Sequence, residues 1–417
     1  MLDINIIRKH PKQVIQACTD KQLDPSVVRQ LLEVDQHKRD LQQEIDTLRQ
    51  LANENANAIK ARVPQKIKPS EELIRQGKKL KEKLKLLEPN YKKIEDKWLE
   101  LALQIPNIPA QEVPVAPDES GNRVIKQVGQ PRQFEFEAKS HQEVMLNLGW
   151  LDTKRAARIG GFRSYFLQKE AVLLEQALLR YALDLMIQHG FTPLTVPVMV
   201  NGSAMIGTGY FPWGQDDHYY TQDQQILTGT AEVALTSYHM GETLTEAQLP
   251  IKLVGISPCF RREIGAHGKD TQGIIRVHQF TKVEQVVLSV ADETVTQAWH
   301  EKMLGYAEEL LQNLGLPYQV LLMCTGDMGA GQRKKYDIET WFPAQNCYRE
   351  THSASYFNDF QSRRLQIRYQ AKDGSLRYVH TLNNTVAASP RLLAAIIENY
   401  QQKDGTVEIP AVLKRWM

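Results

Sequence analysis

A chain of 417 residues that is 42% hydrophobic and 24% charged has the balance of an ordinary globular protein, long enough for two or three domains at roughly 150 residues each. Its formal net charge of only +2 excludes a whole-molecule field as the means of attracting nucleic acid. The four cysteines, Cys18, Cys259, Cys324 and Cys347, form no CxxC pair and follow no zinc spacing. No segment approaches the roughly 18 consecutive apolar residues of a membrane span, and the first ten residues carry no cleavage signal. The expectation is a cytoplasmic protein with reduced thiols and no membrane partner.

Residues 24–105 carry the strongest periodicity. Asp24-Pro25 is a helix start, an N-cap followed by proline at the first helical position. Apolar side chains then recur at Leu31, Val34, Leu41, Ile45, Leu48, Ala52 and Ile59. Pro64 and Pro69 break the pattern, and Ser70 restarts it with a second stripe, Leu73, Leu80, Leu84, Leu87, Tyr91, Ile94, Trp98, Leu101 and Ile105. Two such stripes around a short turn predict a long antiparallel helical coiled coil over about 26–103, kinked at Pro89. Residues 60–97 hold thirteen Lys/Arg against six Asp/Glu, a basic surface suited to phosphates. A solvated helical face, or a spacer or oligomerisation element, accounts for the same run.

Pro106, Pro109, Pro114, Pro117 and Gly121 predict a linker over 106–135, separating a first domain, 1–105, from a second, 136–417. Beyond it, helical runs at 169–188 and 294–314 alternate with short apolar strands, 320–324 and 365–369 among them, and Asp373-Gly374 marks a turn. Long helices outside successive strands predict an α+β fold, an antiparallel β-sheet with flanking helices. Neither a GxGxxG after a strand nor a GxxxxGK[ST] occurs, so no dinucleotide fold or P-loop is indicated.

Charge and small residues concentrate in 258–284. The apolar flanks predict a hairpin around a glycine-containing loop, with alternate residues sharing a face. Arg261 and Glu263 then face one way, as do Arg276, His278 and Phe280, continued by Lys282 and Glu284. Guanidiniums for phosphate oxygens, an aromatic ring for a base and a carboxylate for an amine suit a nucleoside triphosphate. An exposed hairpin with cross-strand ion pairs reads the same way.

Phe260-Arg261-Arg262-Glu263, with Arg276 and Phe280 downstream, resembles motif 2 of the class II aminoacyl-tRNA synthetases. Pro197, within 190–200, resembles motif 1 and its dimer interface. Thr381-Leu382-Asn383-Asn384-Thr385 with Ser389-Pro390-Arg391 resembles motif 3, in 381–393. Within that class the whole chain is similar to the bacterial-type seryl-tRNA synthetases. The N-terminal hairpin resembles their arm, Thr228-Gly229-Thr230-Ala231-Glu232 their serine-binding TxE block, and Tyr348-Arg349-Glu350-Thr351-His352-Ser353 a further block. Two positions depart from the pattern. Arg262 stands where a small residue is commoner, and motif 3 is glycine-poor at Ala387, Ala388 and Ser389.

The resemblance implies a serine–tRNA ligase that forms seryl-adenylate from L-serine and ATP, then charges tRNA(Ser), with tRNA(Sec) as a second acceptor. It implies catalytic roles for Arg261, Arg276 and Arg391 on the phosphates. It places Thr230, Ala231, Glu232, Arg261, Glu284 and Thr385 around serine, and Arg261, Arg262, Glu263, Arg276, Phe280, Glu350, Thr351, His352, Ser353 and Arg391 around ATP. Glu350 and Ser353 would hold Mg²⁺, a homodimer would form through the Pro197 region, and the loop 265–273 would approach the acceptor end. His267, His278, His352 and His380 lack metal-ligand spacing, so no zinc is expected. A ligase loading a carrier protein would lack the arm, and a non-catalytic RNA-binding relative would have lost Arg261, Glu284, Glu350 or Arg391.

Overall fold

The computed structural model describes residues 1–62, 64, 68–264 and 273–417. It divides into two compact units, Leu2–Thr19 with Leu23–Pro106, and Met1 and Asp20–Gln22 with Asn107–Met417.

The first unit is built on helices α1 (Ser26–Lys60) and α2 (Glu71–Leu103), each roughly 50 Å long at about 1.5 Å per residue. Asp24 Oδ1 accepts the Ser26 N–H at 2.8 Å, and Ser70 Oγ accepts that of Leu73 at 3.3 Å, so both starts lie where capping chemistry puts them. Cross-helix partners Asp35–Trp98, Lys38–Glu95 and Arg49–Glu88 ascend one helix while descending the other, which makes the pair antiparallel. Leu31, Leu41, Ile45, Leu48, Leu80 and Leu101 are buried between them. The interface also takes in polar groups that apolar periodicity cannot register. Asp35 is buried against Arg8, with both guanidinium–carboxylate bonds at 2.8 Å, and accepts from Trp98 Nε1 at 3.0 Å. Asn55 donates to the Leu73 carbonyl at 3.2 Å. Helix α2 continues through Pro89, whose ring is exposed. Lys78, Lys79, Lys81, Lys83 and Lys85 are exposed.

The second unit is organised by one eight-stranded sheet. Its strands are β1 (Arg123–Val128), β2 (Thr192–Thr195), β3 (Ile251–Phe260), β4 (Gln279–Ser289), β5 (Tyr318–Leu322), β6 (Lys334–Phe342), β7 (Cys347–Asn358) and β8 (His380–Ala388). Their order across the sheet is β1-β5-β6-β7-β8-β4-β3-β2. All pairings are antiparallel except β2 with β3. The central strand β8 is buried along nearly its whole length. Helices α3 (Glu170–Gln188), α4 (Glu293–Asn313) and α5 (Ser389–Tyr400) supply Leu174, Leu178, Leu310, Leu311, Leu393 and Ile396 to the apolar core.

The stretch expected to be a linker, 106–135, is instead part of this unit. Arg123–Val128 is the edge strand β1, paired with β5, and the Asn107 amide donates to the carbonyls of Gly331 and Phe357 at 3.1 and 2.8 Å. Its prolines rule out a helix, and its backbone polar groups find partners by pairing with the sheet edge. Leu365 ends a short helix, Phe360–Leu365, and the expected strand begins only at Arg368. The Asp373-Gly374 turn forms as expected, with Gly374 at φ +80°.

Candidate active site

The expected hairpin is β3 and β4, with Phe280 opposite Cys259. Its strands are shorter than alternation suggested: β4 starts at Gln279, so Arg276 and His278 lie in the connecting loop. Two bonds close the hairpin beyond the strands, Arg261 N–H to the His278 carbonyl at 3.0 Å and His278 Nδ1 to the Arg261 carbonyl at 2.9 Å. Residues 265–272 of the loop expected to approach the acceptor end lie outside the described residues.

A cavity of about 280 Å³ opens over β4, β7 and β8, and two bonded groups of side chains border it. In the first, the Arg261 guanidinium lies 5.3 Å from the centre of the Phe280 ring, and its Nε donates to the Gly229 carbonyl at 3.3 Å. A Cβ at position 229 would come within 3.2 Å of Arg261 Cγ, so the glycine leaves room for that approach. Arg276 pairs with Glu263 at 2.7 Å. Arg391 lies in the first turn of α5, which follows β8 directly and so carries the side chain back over the sheet. Its Nη1 donates to the Glu350 carbonyl at 2.9 Å and to Glu350 Oε2 at 3.0 Å.

Glu350 owes its position to a bulge. Ile338 opposes His352 while Glu339 opposes Glu350, so Thr351 has no partner of its own, and the consecutive residues 350–353 all border the cavity. Strict alternation would turn every second one away. Burial opposes ionisation of Glu350, but Arg391, Lys335 and Arg261 outweigh it and hold the carboxyl below its usual range. Lys335 Nζ pairs with Asp337 at 2.9 Å. His352 is kept neutral by burial, its pKa pushed down to about 4, and its Nε2 reaches the Val386 carbonyl at 3.1 Å.

In the second group, Glu284 and Lys282, two apart on β4, form a buried ion pair. Another bulge, between Val283 and Glu284, sets Glu284 opposite Thr385, whose hydroxyl donates to it at 3.4 Å. Glu232, 5% exposed, opens the short helix Glu232–Thr236. Its two carboxyl oxygens accept from Tyr210 Oη at 2.8 Å and Gln361 Nε2 at 3.0 Å. Burial first, then the charge of Glu284, push its pKa up to about 7.

The cavity thus gathers Arg261, Arg276, Arg391, Glu263, Phe280, Glu350, Thr351, His352, Ser353, Glu232, Glu284 and Thr385 from the expected set. Three expected residues stand outside its lining. Arg262 turns the other way, donating to the Asp216 carbonyl at 2.9 Å, because its neighbour Arg261 takes the cavity side. Ala231 packs into the apolar cluster with Leu235 and Leu253. Thr230 acts through its neighbour, its Oγ1 accepting the Glu232 N–H at 3.1 Å. Tyr210, Gln332 and Lys335 also border the cavity and were not legible in the sequence. They come from segments without a distinctive pattern, and only the fold brings them in. Among the described residues, no group of three or more His, Cys, Asp or Glu side chains could hold a metal ion, and no helix is long and apolar enough to cross a membrane.

An antiparallel sheet that presents three arginines, an aromatic ring and a carboxylate from separated segments, with a strand running straight into the arginine-bearing helix, is the core of a class II aminoacyl-tRNA synthetase. Residues 216–400 match the family described as tRNA synthetase class II core domain (G, H, P, S and T), and residues 1–109 match the seryl-tRNA synthetase N-terminal domain. A serine–tRNA ligase of Deinococcus radiodurans is 44% identical over 421 residues, covering 100% of this chain and 97% of its own. The crystal structure of seryl-tRNA synthetase from Pyrococcus horikoshii complexed with ATP superposes with a TM-score of 0.92 at 40% identity, over 100% and 98% of the two chains. That of cytoplasmic serine–tRNA ligase from Naegleria fowleri in complex with AMP gives 0.88 at 31% identity, over 100% and 97%. The chain belongs to the seryl-tRNA synthetase family, the serine–tRNA ligases.

Proposed function

We propose that the chain activates L-serine with ATP and esterifies it to the 3′ end of tRNA(Ser), with tRNA(Sec) as a second acceptor. The carrying observation is the meeting of Arg261, Arg276 and Arg391 around one cavity with Glu232, Glu284 and Thr385. ATP is the nucleotide in the Pyrococcus horikoshii relative.

In the first step a serine carboxylate oxygen forms a bond to the α-phosphorus, and the bond to the leaving pyrophosphate breaks. The nucleophile is already an anion, so positioning and charge neutralisation supply the catalysis. Arg261 takes the α-phosphate and the serine carboxylate. Arg276, released from Glu263, and Arg391 take the outer phosphates, and Phe280 stacks on the adenine with Glu263 beside its amino group. Glu232 and Glu284 receive the serine ammonium and hydroxyl, with Thr385 fixing Glu284. Buried polar groups of this kind reject alanine, which leaves them unpaired, by up to roughly 10⁴-fold.

Glu350 and Ser353 offer the hard oxygen donors magnesium prefers, and Glu350 is held ionised by its cationic neighbours, so the pair fits the ion with substrate phosphates completing its shell. Bound there, magnesium would supply positive charge to the phosphate oxygens. In the second step a ribose hydroxyl of the tRNA attacks the adenylate carbonyl carbon and AMP leaves. The exposed lysines of α2 support binding of the tRNA by shape and phosphate contact. The exposed edge strand β2, with Pro197 just beyond it, is the proposed homodimer contact. The reaction belongs in the cytoplasm, where its substrates are.

The test is pyrophosphate exchange with each of the twenty amino acids. Serine alone should support it, and Glu284→Ala should abolish it. Normal serine exchange in that variant would refute the pocket.

A further inference from the structure

Next to the amino-acid end of the cavity lies a second one of about 220 Å³, itself open to solvent. The two share four lining residues, Tyr210, Glu232, Gly329 and Gln332. Trp213 and Phe357 make this second space largely apolar, and the glycine-rich backbone at 329–331 completes its border. It is far larger than the roughly 30 Å³ that one water occupies in the liquid. Room for a bigger side chain therefore exists next to the serine pocket, and something other than packed core must withhold it.

Two hydrogen bonds cross the shared wall. Tyr210 Oη donates to Glu232 Oε2 at 2.8 Å, and the Gly329 N–H donates to Gln332 Oε1 at 2.6 Å. The first bar is anchored on both sides. Glu232 is held through its other oxygen by Gln361, whose amide also reaches the Thr208 carbonyl at 2.9 Å. The Tyr210 ring stands edge-on to His218, 5.9 Å between centres, and its backbone N–H bonds the Met205 carbonyl at 3.0 Å.

We propose that Tyr210 is a specificity-determining residue, setting the size limit of the amino-acid pocket by holding Glu232 as the partition between the two cavities. The inference rests on the reading that Glu232 and Glu284 line the serine site. On that reading, threonine is refused because its extra methyl meets the Tyr210–Glu232 bar, not because space ends there.

The experiment measures pyrophosphate exchange with serine and threonine for the full chain and for Tyr210→Phe, Tyr210→Ala and Glu284→Ala, with KM for ATP recorded in each. Tyr210→Phe keeps the ring and loses only the bond to Glu232. It should raise KM for serine roughly tenfold or more and leave KM for ATP unchanged, a split that general loosening of the fold would not produce. Tyr210→Ala opens the partition, so the serine-to-threonine ratio of kcat/KM should fall at least tenfold, within the range of roughly 10–200-fold that one methyl commands. Wild-type serine KM in Tyr210→Phe, together with an unchanged ratio in Tyr210→Ala, overturns the inference. If Glu284→Ala abolishes exchange in that same series, only the partition fails. If Glu284→Ala is also normal, the serine pocket itself is misassigned.

Discussion

Replacing Glu232 by glutamine should stabilise the protein above neutral pH while crippling amino-acid activation. Burial and the neighbouring charge of Glu284 move the ionisation of Glu232 from the ordinary 4.5 to about 7. The folded protein therefore keeps this proton over a range in which the unfolded chain has lost it. Below pH 4.5 both states are protonated and nothing is lost. As pH rises from 4.5 towards 7 the unfolded state gains progressively, and above 7 the penalty is constant. At about 1.4 kcal/mol per tenfold, the full penalty is about 3 kcal/mol. Glutamine has nearly the same shape and carries no charge, but it keeps only one oxygen for the two donors Tyr210 and Gln361, which returns about 1 kcal/mol. The net gain is about 2 kcal/mol at pH 8.5 and close to zero at pH 5. For a chain of 417 residues that is a rise in Tm of roughly 2 °C. Calorimetric or fluorescence melts of both proteins at pH 5 and 8.5 check it, with serine-dependent exchange run in parallel and expected to fall at least a hundredfold. An offset in Tm that is equal at the two pH values, or a variant less stable at pH 8.5, would refute the reasoning.

Two further expectations concern the helical arm. Deleting residues 30–100 should leave serine-dependent pyrophosphate exchange nearly intact and collapse tRNA charging; efficient charging by the truncated chain would contradict the role given to the arm. Asp35→Ala removes a buried carboxylate from Arg8 and Trp98. It should destabilise the arm by about 2 kcal/mol, discounted because Arg8 is one-third exposed, and show as earlier loss of helical circular dichroism on heating. Although burial works against ionisation, Arg8 and Trp98 bonds keep the Asp35 carboxyl below its usual range. Its contribution is accordingly present at neutral pH and lost as acid protonates it, so the difference between wild type and variant should shrink towards pH 3.

What the sequence determined by itself was whatever depends on local repetition. The stripes from Leu31 to Ile59 and from Leu73 to Ile105 specify two long helices because 3.6 residues per turn stack every third or fourth side chain, and the caps at Asp24 and Ser70 act within their own turns. The hairpin around 258–284 was legible from its alternating flanks, while the roles of Arg276 and Arg391 came only with the resemblance of the ordered motifs, which made the family recognisable. Tertiary structure decided the rest. Edge pairing with β5 turned a proline-rich linker into the strand β1, since unpaired backbone beside an open sheet edge is costly. Unpaired residues at Thr351 and Val386 set Glu350 and Glu284 in their places, and a bulge exists only in the register between two strands far apart in the chain. Tyr210, Gln361 and Lys335 lie in segments with no local mark, and they acquire meaning only because the fold brings Glu232, on its short helix, and Glu350, on β7, to them. Local periodicity fixes which way a side chain points along its own element; which distant group it meets there is set by the packing of the whole sheet.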